Sequence, residues 1–269
     1  MAHEQSDIAD APAARRLHRR VIVAAGVGVL LVAVLLGGLI AVRNGVIGVD
    51  EVWAGEVVGF RGAFGDAVAF TMNRLGGGAI GVFVVPLGGA VVLLLCRRPW
   101  GAAFFLVASA ASAGVVQLLK HLFGRARPED MLVTSDFGSF PSGHVANAAT
   151  IAVVVGIIAP RLWVWALGVA YTLLMAFTRT YLGVHWLTDT IAGALVGVGV
   201  ALVGWAVFAR PLEHERQRWR RRRDGATGDA NSANSADGAD GATGDAGDAD
   251  ASIRRSTDGA PGAAPDQAG

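Results

Sequence analysis

The run Val21–Val42, VIVAAGVGVLLVAVLLGGLIAV, decides the fold class. It carries no charged side chain and is long enough to cross a bilayer hydrocarbon core of about 30 Å. Arg15, Arg16, Arg19 and Arg20 precede it and Arg43 follows it. A cleaved signal is the other reading of such a run, but this one exceeds the usual apolar core of a signal and further apolar runs come after it. The chain is 53% hydrophobic, and the excess over an ordinary soluble domain lies in these unbroken runs.

Working outward from the first run, further spans are expected over Ala79–Cys96, Gly101–Leu119, Val145–Ala159, Leu162–Phe177 and Thr190–Phe208. The expected fold is all-α: a six-transmembrane helical bundle. Residues 1–20 form a cytoplasmic segment, 21–210 the membrane domain and 211–269 a basic then acidic tail. Small residues such as Gly88, Gly89, Gly193 and Gly197 allow close helix packing and carry no function by themselves. An even number of spans returns both termini to one side. Arg97–Arg98, Arg161 and Arg216–Arg223 fall on that side with the first arginines, so both termini are expected in the cytoplasm. Integral, multi-pass residence in the cell membrane follows as an expectation.

Asp50–Leu75 mixes apolar residues with Glu56, Arg61, Asp66 and Arg74. It reads as an amphipathic helix at the interface, with a partly buried hairpin as the competing picture. From Asp224 to Gly269 the chain is mostly Gly, Ala, Asp, Ser and Thr, and Gly225–Ala230 recurs at Gly241–Ala246. Such a segment buries too little apolar surface to offset its ordering entropy, so a disordered tail is expected. The net charge of +1 argues for no partner by itself. The single cysteine, Cys96, excludes an internal disulfide.

Ionisable groups at a membrane edge are expensive and tend to mark function. They concentrate in two loops on the face opposite the termini, 120–144 and 179–189. Lys120, Arg127 and Arg179 are three cations that would repel one another unless a multivalent anion joined them, and guanidinium forks match phosphate oxygens. Snorkelling to headgroups, or pairing with Glu129, Asp130 or Asp136, is the alternative. Ser142, Gly143 and His144 stand where the fourth span begins, a place suited to anion binding at a helix N-terminus. An ordinary helix cap would use the same residues. His185 and Asp189 are four apart, so a helix would put both on one face, where a carboxylate can fix the tautomer of an imidazole. Asp189 as a plain helix-start residue is the alternative. No further His or Cys offers a familiar zinc spacing, and no metal or other cofactor is anticipated. His3, His18, His121 and His214 fit no part of this pattern.

Lys120-x6-Arg127-Pro128, then Pro141-Ser142-Gly143-His144, then Arg179-x5-His185-x3-Asp189 resembles the three-part signature of the type 2 phosphatidic acid phosphatase superfamily. That superfamily also includes bacterial acid phosphatases and vanadium haloperoxidases. The third motif usually opens with Ser, and here Thr178 keeps a hydroxyl in its place. The resemblance implies that His185 attacks phosphorus, that Asp189 orients it, and that His144 serves as general acid and then base. It implies that Lys120, Arg127, Ser142, Gly143 and Arg179 hold the phosphate oxygens. A bell-shaped pH profile follows, because the two imidazoles must differ in protonation. The implied partner is a membrane lipid phosphate within the bilayer, with no nucleic acid. Phosphatidate, phosphatidylglycerol phosphate and polyprenyl pyrophosphate are the candidate substrates, with phosphatidate and the polyprenyl class preferred. Transfer to an alcohol acceptor instead of water is the rival reaction, and a non-enzymatic membrane transporter or scaffold with a decayed site is the other alternative.

Overall fold

Apolar runs punctuated by Gly, Pro and Arg fold into successive helices, with no strand among the described residues. The computed structural model describes residues 2–43, 46–135 and 137–240, and their side chains over 16–43, 46–135 and 137–221. The helices are α1 (Ala2–Arg43), α2 (Gly48–Gly59), α3 (Ala63–Gly76), α4 (Val85–Leu95), α5 (Pro99–Phe123), α6 (Gly143–Ile158), α7 (Leu162–Tyr181) and α8 (Leu187–Asp240). A π-helical turn, Ile80–Val84, leads into α4. Contacts divide the chain into two units, 1–215 and 216–269, and the site described below lies in the first.

Among the described residues, four helical stretches are long and apolar enough to cross a membrane: Arg16–Arg43, Pro99–Phe123, Leu162–Tyr181 and Leu187–Arg221. A fifth arises if Ala63–Gly76 and Ile80–Leu95, bent by 52°, form one broken span. The stretch expected as a span over Val145–Ala159 is α6, a shorter apolar helix. Its 16 residues extend about 24 Å at the helical rise, less than a full hydrocarbon core.

The segment expected as one interfacial helix is two, α2 and α3, parted at Phe60–Gly62. Tyr181 at the end of α7 explains the break. Its hydroxyl accepts the Gly62 N–H at 2.8 Å and donates to Asp66 Oδ1 at 2.8 Å. Arg61 then reaches the carbonyls of Tyr181 and Asp130 at 3.2 and 2.9 Å. Val57, Ala69, Tyr181, Leu182 and Val184 close an apolar cluster around these bonds. Asp50, the first residue of the stretch expected as an interfacial helix, is fully buried. The tail also differs from expectation over 224–240, where the backbone is helical and Ala226, Ala230, Ala233, Ala236 and Ala239 favour that state. Residues 241–269 lie outside the described residues, as do Asp136 and the side chains of His3, Arg15, Arg222 and Arg223.

The core that positions the loops joins α5, α6 and α8 through Phe104, Phe105, Val153, Val154, Ile158 and Ala201. A Cβ at Gly193 would strike the Ser142 carbonyl, and one at Gly197 the Ala146 carbonyl. Glycine at both positions therefore lets α8 lie directly against the first turn of α6. At the opposite end of α5, Glu215 from α8 accepts the N–H groups of Trp100 and Gly101 at 2.7 and 3.3 Å. That carboxylate satisfies donors which a helix leaves open in its first turn.

Candidate active site

The first motif is set by how α5 ends. Gly124 takes a left-handed conformation, φ 53°, and its N–H bonds to the Lys120 carbonyl. The chain then turns back across the helix end. Lys120 is buried and its Nζ donates to the Gly138 carbonyl at 2.8 Å. Arg127 donates to the same carbonyl at 2.8 Å and also to the carbonyl of Val184, next to His185.

The second motif caps α6. The Ser142 N–H donates to the backbone carbonyl of Asp189 at 3.0 Å, tying the start of α6 to the start of α8. The Ser142 hydroxyl is buried and makes no hydrogen bond to the described residues. A Cβ on Gly143 would meet Val116 only at ordinary contact distance, so protein packing does not demand glycine there. His144 is half-buried, with Nε2 3.2 Å from the Asn73 carbonyl at the end of α3.

The third motif spans the turn between α7 and α8. Arg179 is buried and its Nη1 donates to the Asn73 side-chain oxygen. His185 is buried too, and its Nδ1 lies 2.7 Å from the Ser139 carbonyl. A carbonyl only accepts, so Nδ1 carries the proton and Nε2 keeps its lone pair. Asp189 Oδ2 is 3.7 Å from that Nδ1, beyond hydrogen-bond range, and instead accepts the Trp186 N–H at 2.9 Å. The expectation that Asp189 fixes the tautomer by a direct bond is therefore corrected. The Ser139 carbonyl holds the ring, and the carboxylate acts on it through space.

Burial pushes the His185 imidazole down to about 4, against the opposing pull of Asp189. The Arg179 and Arg127 guanidiniums lower it further. The ring is thus neutral near pH 7 and available as a nucleophile.

Lys120, Gly143, His144, Arg179 and His185 line one cavity of about 880 Å³. The same cavity is also lined by apolar residues, among them Ile80, Phe83, Leu87, Leu106 and Ala110 from the π turn, α4 and α5. Asp189, Arg127 and Ser142 are not among its lining residues but bond to residues beside them. Among the described residues no group of three or more His, Cys, Asp or Glu side chains gathers where an ion would be held.

Three residues of the site escaped sequence reasoning. Asn73 touches both His144 and Arg179, and nothing in its sequence surroundings signals it. Arg125 bonds to Asp189 and Asp50 at 2.6 Å each. Its signal was present, since it stands inside the first motif between Lys120 and Arg127. Asp50 had the signal of a carboxylate amid apolar residues, at the start of the stretch expected as an interfacial helix.

The chain is similar to known proteins. The PAP2 superfamily model matches residues 101–212. An undecaprenyl-diphosphatase of Sulfolobus acidocaldarius is 31% identical over 42% of this chain and 58% of its own length. The chain thus spans little more than half of that relative. A decaprenylphosphoryl-5-phosphoribose phosphatase of Mycobacterium tuberculosis is 30% identical over 51% of this chain and 77% of its own. Among solved structures, a transmembrane PAP2-type phosphatidylglycerolphosphate phosphatase from Bacillus subtilis superposes with a TM-score of 0.59. It is 24% identical and covers 66% of this chain and 93% of that one, which bears on fold alone. With both histidine motifs inside the matched segment, this chain belongs to the PAP2 superfamily.

Proposed function

We propose that this protein is a membrane phosphatase that hydrolyses a lipid-linked phosphate or diphosphate through a phosphohistidine. The observation that carries the reading is one cavity lined both by His144, His185, Lys120 and Arg179 and by apolar side chains of α4 and α5. A phosphate headgroup suits the first set and a hydrocarbon chain the second.

In the first step His185 Nε2 attacks phosphorus and the bond to the leaving oxygen breaks. His144 gives that oxygen a proton. Lys120, Arg127 and Arg179 turn from their carbonyl and amide partners to the phosphoryl oxygens, with the Ser142 hydroxyl and the Gly143 N–H as further donors. Such a transfer depends on positioning and on neutralising charge, which these groups supply. The phosphorylated ring keeps its Nδ1 proton and becomes cationic, facing the Asp189 carboxylate. In the second step His144, now neutral, takes a proton from water as that water attacks phosphorus and releases His185.

The named activities of the two relatives both concern polyprenyl-linked phosphates, which favours a polyprenyl phosphate or diphosphate here. We read six crossings: α1, the π turn with α4, α5, α6, α7 and α8. The arginine distribution puts both termini in the cytoplasm and the cavity mouth on the outer face.

Phosphate release from a panel of polyprenyl and glycerolipid phosphates, by protein in detergent with EDTA present, tests the reaction. Turnover of at least one lipid phosphate, abolished in His185→Ala, is expected. Retained turnover in His185→Ala removes the proposed nucleophile. For sidedness, a cysteine at Glu129 in a Cys96→Ser background should react with an impermeant thiol reagent added outside intact cells; reaction only after lysis reverses the orientation.

A further inference from the structure

Behind the catalytic pair lies a buried chain of charges that spans three parts of the fold. Asp189, from α8, gives Oδ1 to Arg125 Nη1 at 2.6 Å. Arg125, from the segment after α5, gives Nη2 to Asp50 Oδ2 at 2.6 Å. Asp50, from α2, also accepts the Thr188 N–H through Oδ1 at 2.8 Å and the Thr188 hydroxyl through Oδ2 at 2.6 Å. Thr188 in turn accepts from Arg125 Nη1 at 2.8 Å. The carboxylates are fully buried and Arg125 nearly so. Trp186 covers the guanidinium, 5.4 Å from its ring centre, while its own N–H holds the second oxygen of Asp189.

Each group in this chain makes two or three of these bonds, and the geometry is that of a two-pronged guanidinium rather than of a point charge. The purpose of a second carboxylate is electrical. Arg125 alone would cancel the charge of Asp189. With Asp50 present, the set Asp50, Arg125 and Asp189 carries one net negative charge beside His185 Nδ1. A ring phosphorylated on Nε2 gains a positive charge, and that residual negative charge is what faces it.

The geometry points to Arg125, clamped by Asp50, as the positioning residue that fixes the Asp189 carboxylate behind His185 and leaves its charge undiminished. This rests on the reading of His185 as the nucleophile. Neither Arg125 nor Asp50 lines the cavity, so both act through Asp189 and touch no substrate.

The consequences carry sign. Asp50→Asn leaves the set neutral, so the phosphohistidine and the protonated ring both lose support. Arg125→Gln leaves two negative charges, so the ring takes up a proton more readily. The charged and titratable groups facing His185 are otherwise unchanged: Asp189 from α8, Arg179 from α7, Arg127 from the segment after α5, and Lys120 and His144 across the cavity. The acid limb of kcat/KM should therefore move down in Asp50→Asn and up in Arg125→Gln, by about one unit each. In both, kcat should fall about tenfold or more with KM little changed, the range in which outer partners of functional histidines act.

The experiment measures kcat, KM and the pH profile of phosphate release for wild type, Asp50→Asn, Arg125→Gln, Arg125→Lys and Thr188→Val, with His185→Ala alongside. Opposite movements of the acid limb, with partial rescue of kcat in Arg125→Lys relative to Arg125→Gln, support the proposal. Thr188→Val removes a buried hydroxyl from the same cluster without changing its charge, so its limb should stay in place. If Arg125→Gln does not fold, the double variant Asp50→Asn/Arg125→Gln restores the net charge. Its limb should return to the wild-type position while kcat stays low. An acid limb that moves in neither Asp50→Asn nor the foldable Arg125 variant overturns the proposal and leaves a structural staple. If wild type releases no phosphate, or His185→Ala retains turnover, the functional reading itself fails, which is a different result.

Discussion

His144 Nε2 lies 3.2 Å from the backbone oxygen of Asn73, and the Asn73 side chain accepts a hydrogen bond from Arg179. One residue at the end of α3 thus holds both the proposed acid and one of the proposed phosphate cations. The chain can pass so close only because glycines follow. A Cβ on Gly77 would collide with the His144 ring. Gly77 has φ −139° and ψ −172°, an extended conformation open to alanine, so the collision and not backbone strain is the obstacle. Gly77→Ala is expected to displace the ring and lower kcat about a hundredfold, the scale of an ångström-sized misplacement. Gly28→Ala on α1, with nothing within 4 Å of the added methyl, should leave turnover as it was. Steady-state kinetics on both variants, with circular dichroism to verify helix content, checks this.

The pH dependence has a defined acid side. His185 falls to about 4 in the fold because burial disfavours its charged form, whereas the unfolded chain titrates near 6.5. As pH drops below about 6.5 the unfolded chain takes up this proton first, so stability declines between there and about 4. Above that window the group contributes nothing to pH dependence. For catalysis the nucleophile stays neutral across the same window. The acid limb of kcat/KM is expected nearer 4 than 6.5, making the bell broad on its acid side. Rates measured from pH 3.5 to 9 in detergent check it; a limb near 6.5 means an imidazole exposed to water in the free protein.

The apolar runs and the three motifs were legible in the sequence because each is local: hydrophobic length for α1, α5, α7 and α8, and fixed spacing for Lys120, His144 and His185. Two things were not. The break between α2 and α3 depends on Tyr181, which reaches Gly62 and Asp66 from more than a hundred residues away. No local pattern encodes that contact. The tautomer of His185 depends on the Ser139 carbonyl, a backbone group whose direction no residue type announces. The i,i+4 spacing did bring Asp189 near the ring, but it could not show that Arg125 and Trp186 already occupy both carboxylate oxygens.

Stability should respond to a residue far from the chemistry. Glu215 accepts the N–H groups of Trp100 and Gly101 and is itself mostly buried. Pro99 opens α5 and offers no N–H, so these are the first donors the helix presents. Glu215→Ala should cost about 2 kcal/mol, the scale of a lost cap with a charged acceptor, and lower the melting midpoint by roughly 4–8 °C. Glu215→Gln keeps a carbonyl acceptor and should lose less. Thermal unfolding in detergent reads both, with the kcat of the folded fraction unchanged.

The apolar lining of the cavity should set preference for chain length without touching the phosphate chemistry. Ala110 lines it from α5, as do Phe83 and Leu87 from the π turn and α4, together with His144 and His185. An indole at position 110 would fill space that a hydrocarbon chain needs. Ala110→Trp is therefore expected to raise KM for a long polyprenyl phosphate about tenfold, the loss of one or two buried methylenes. Hydrolysis of a short, water-soluble phosphate monoester needs only the polar lining and should proceed at the wild-type rate. Parallel kinetics with the two substrates separates the outcomes. Equal losses on both mean the substitution reached the histidines; no loss on either means the chain lies elsewhere among the helices.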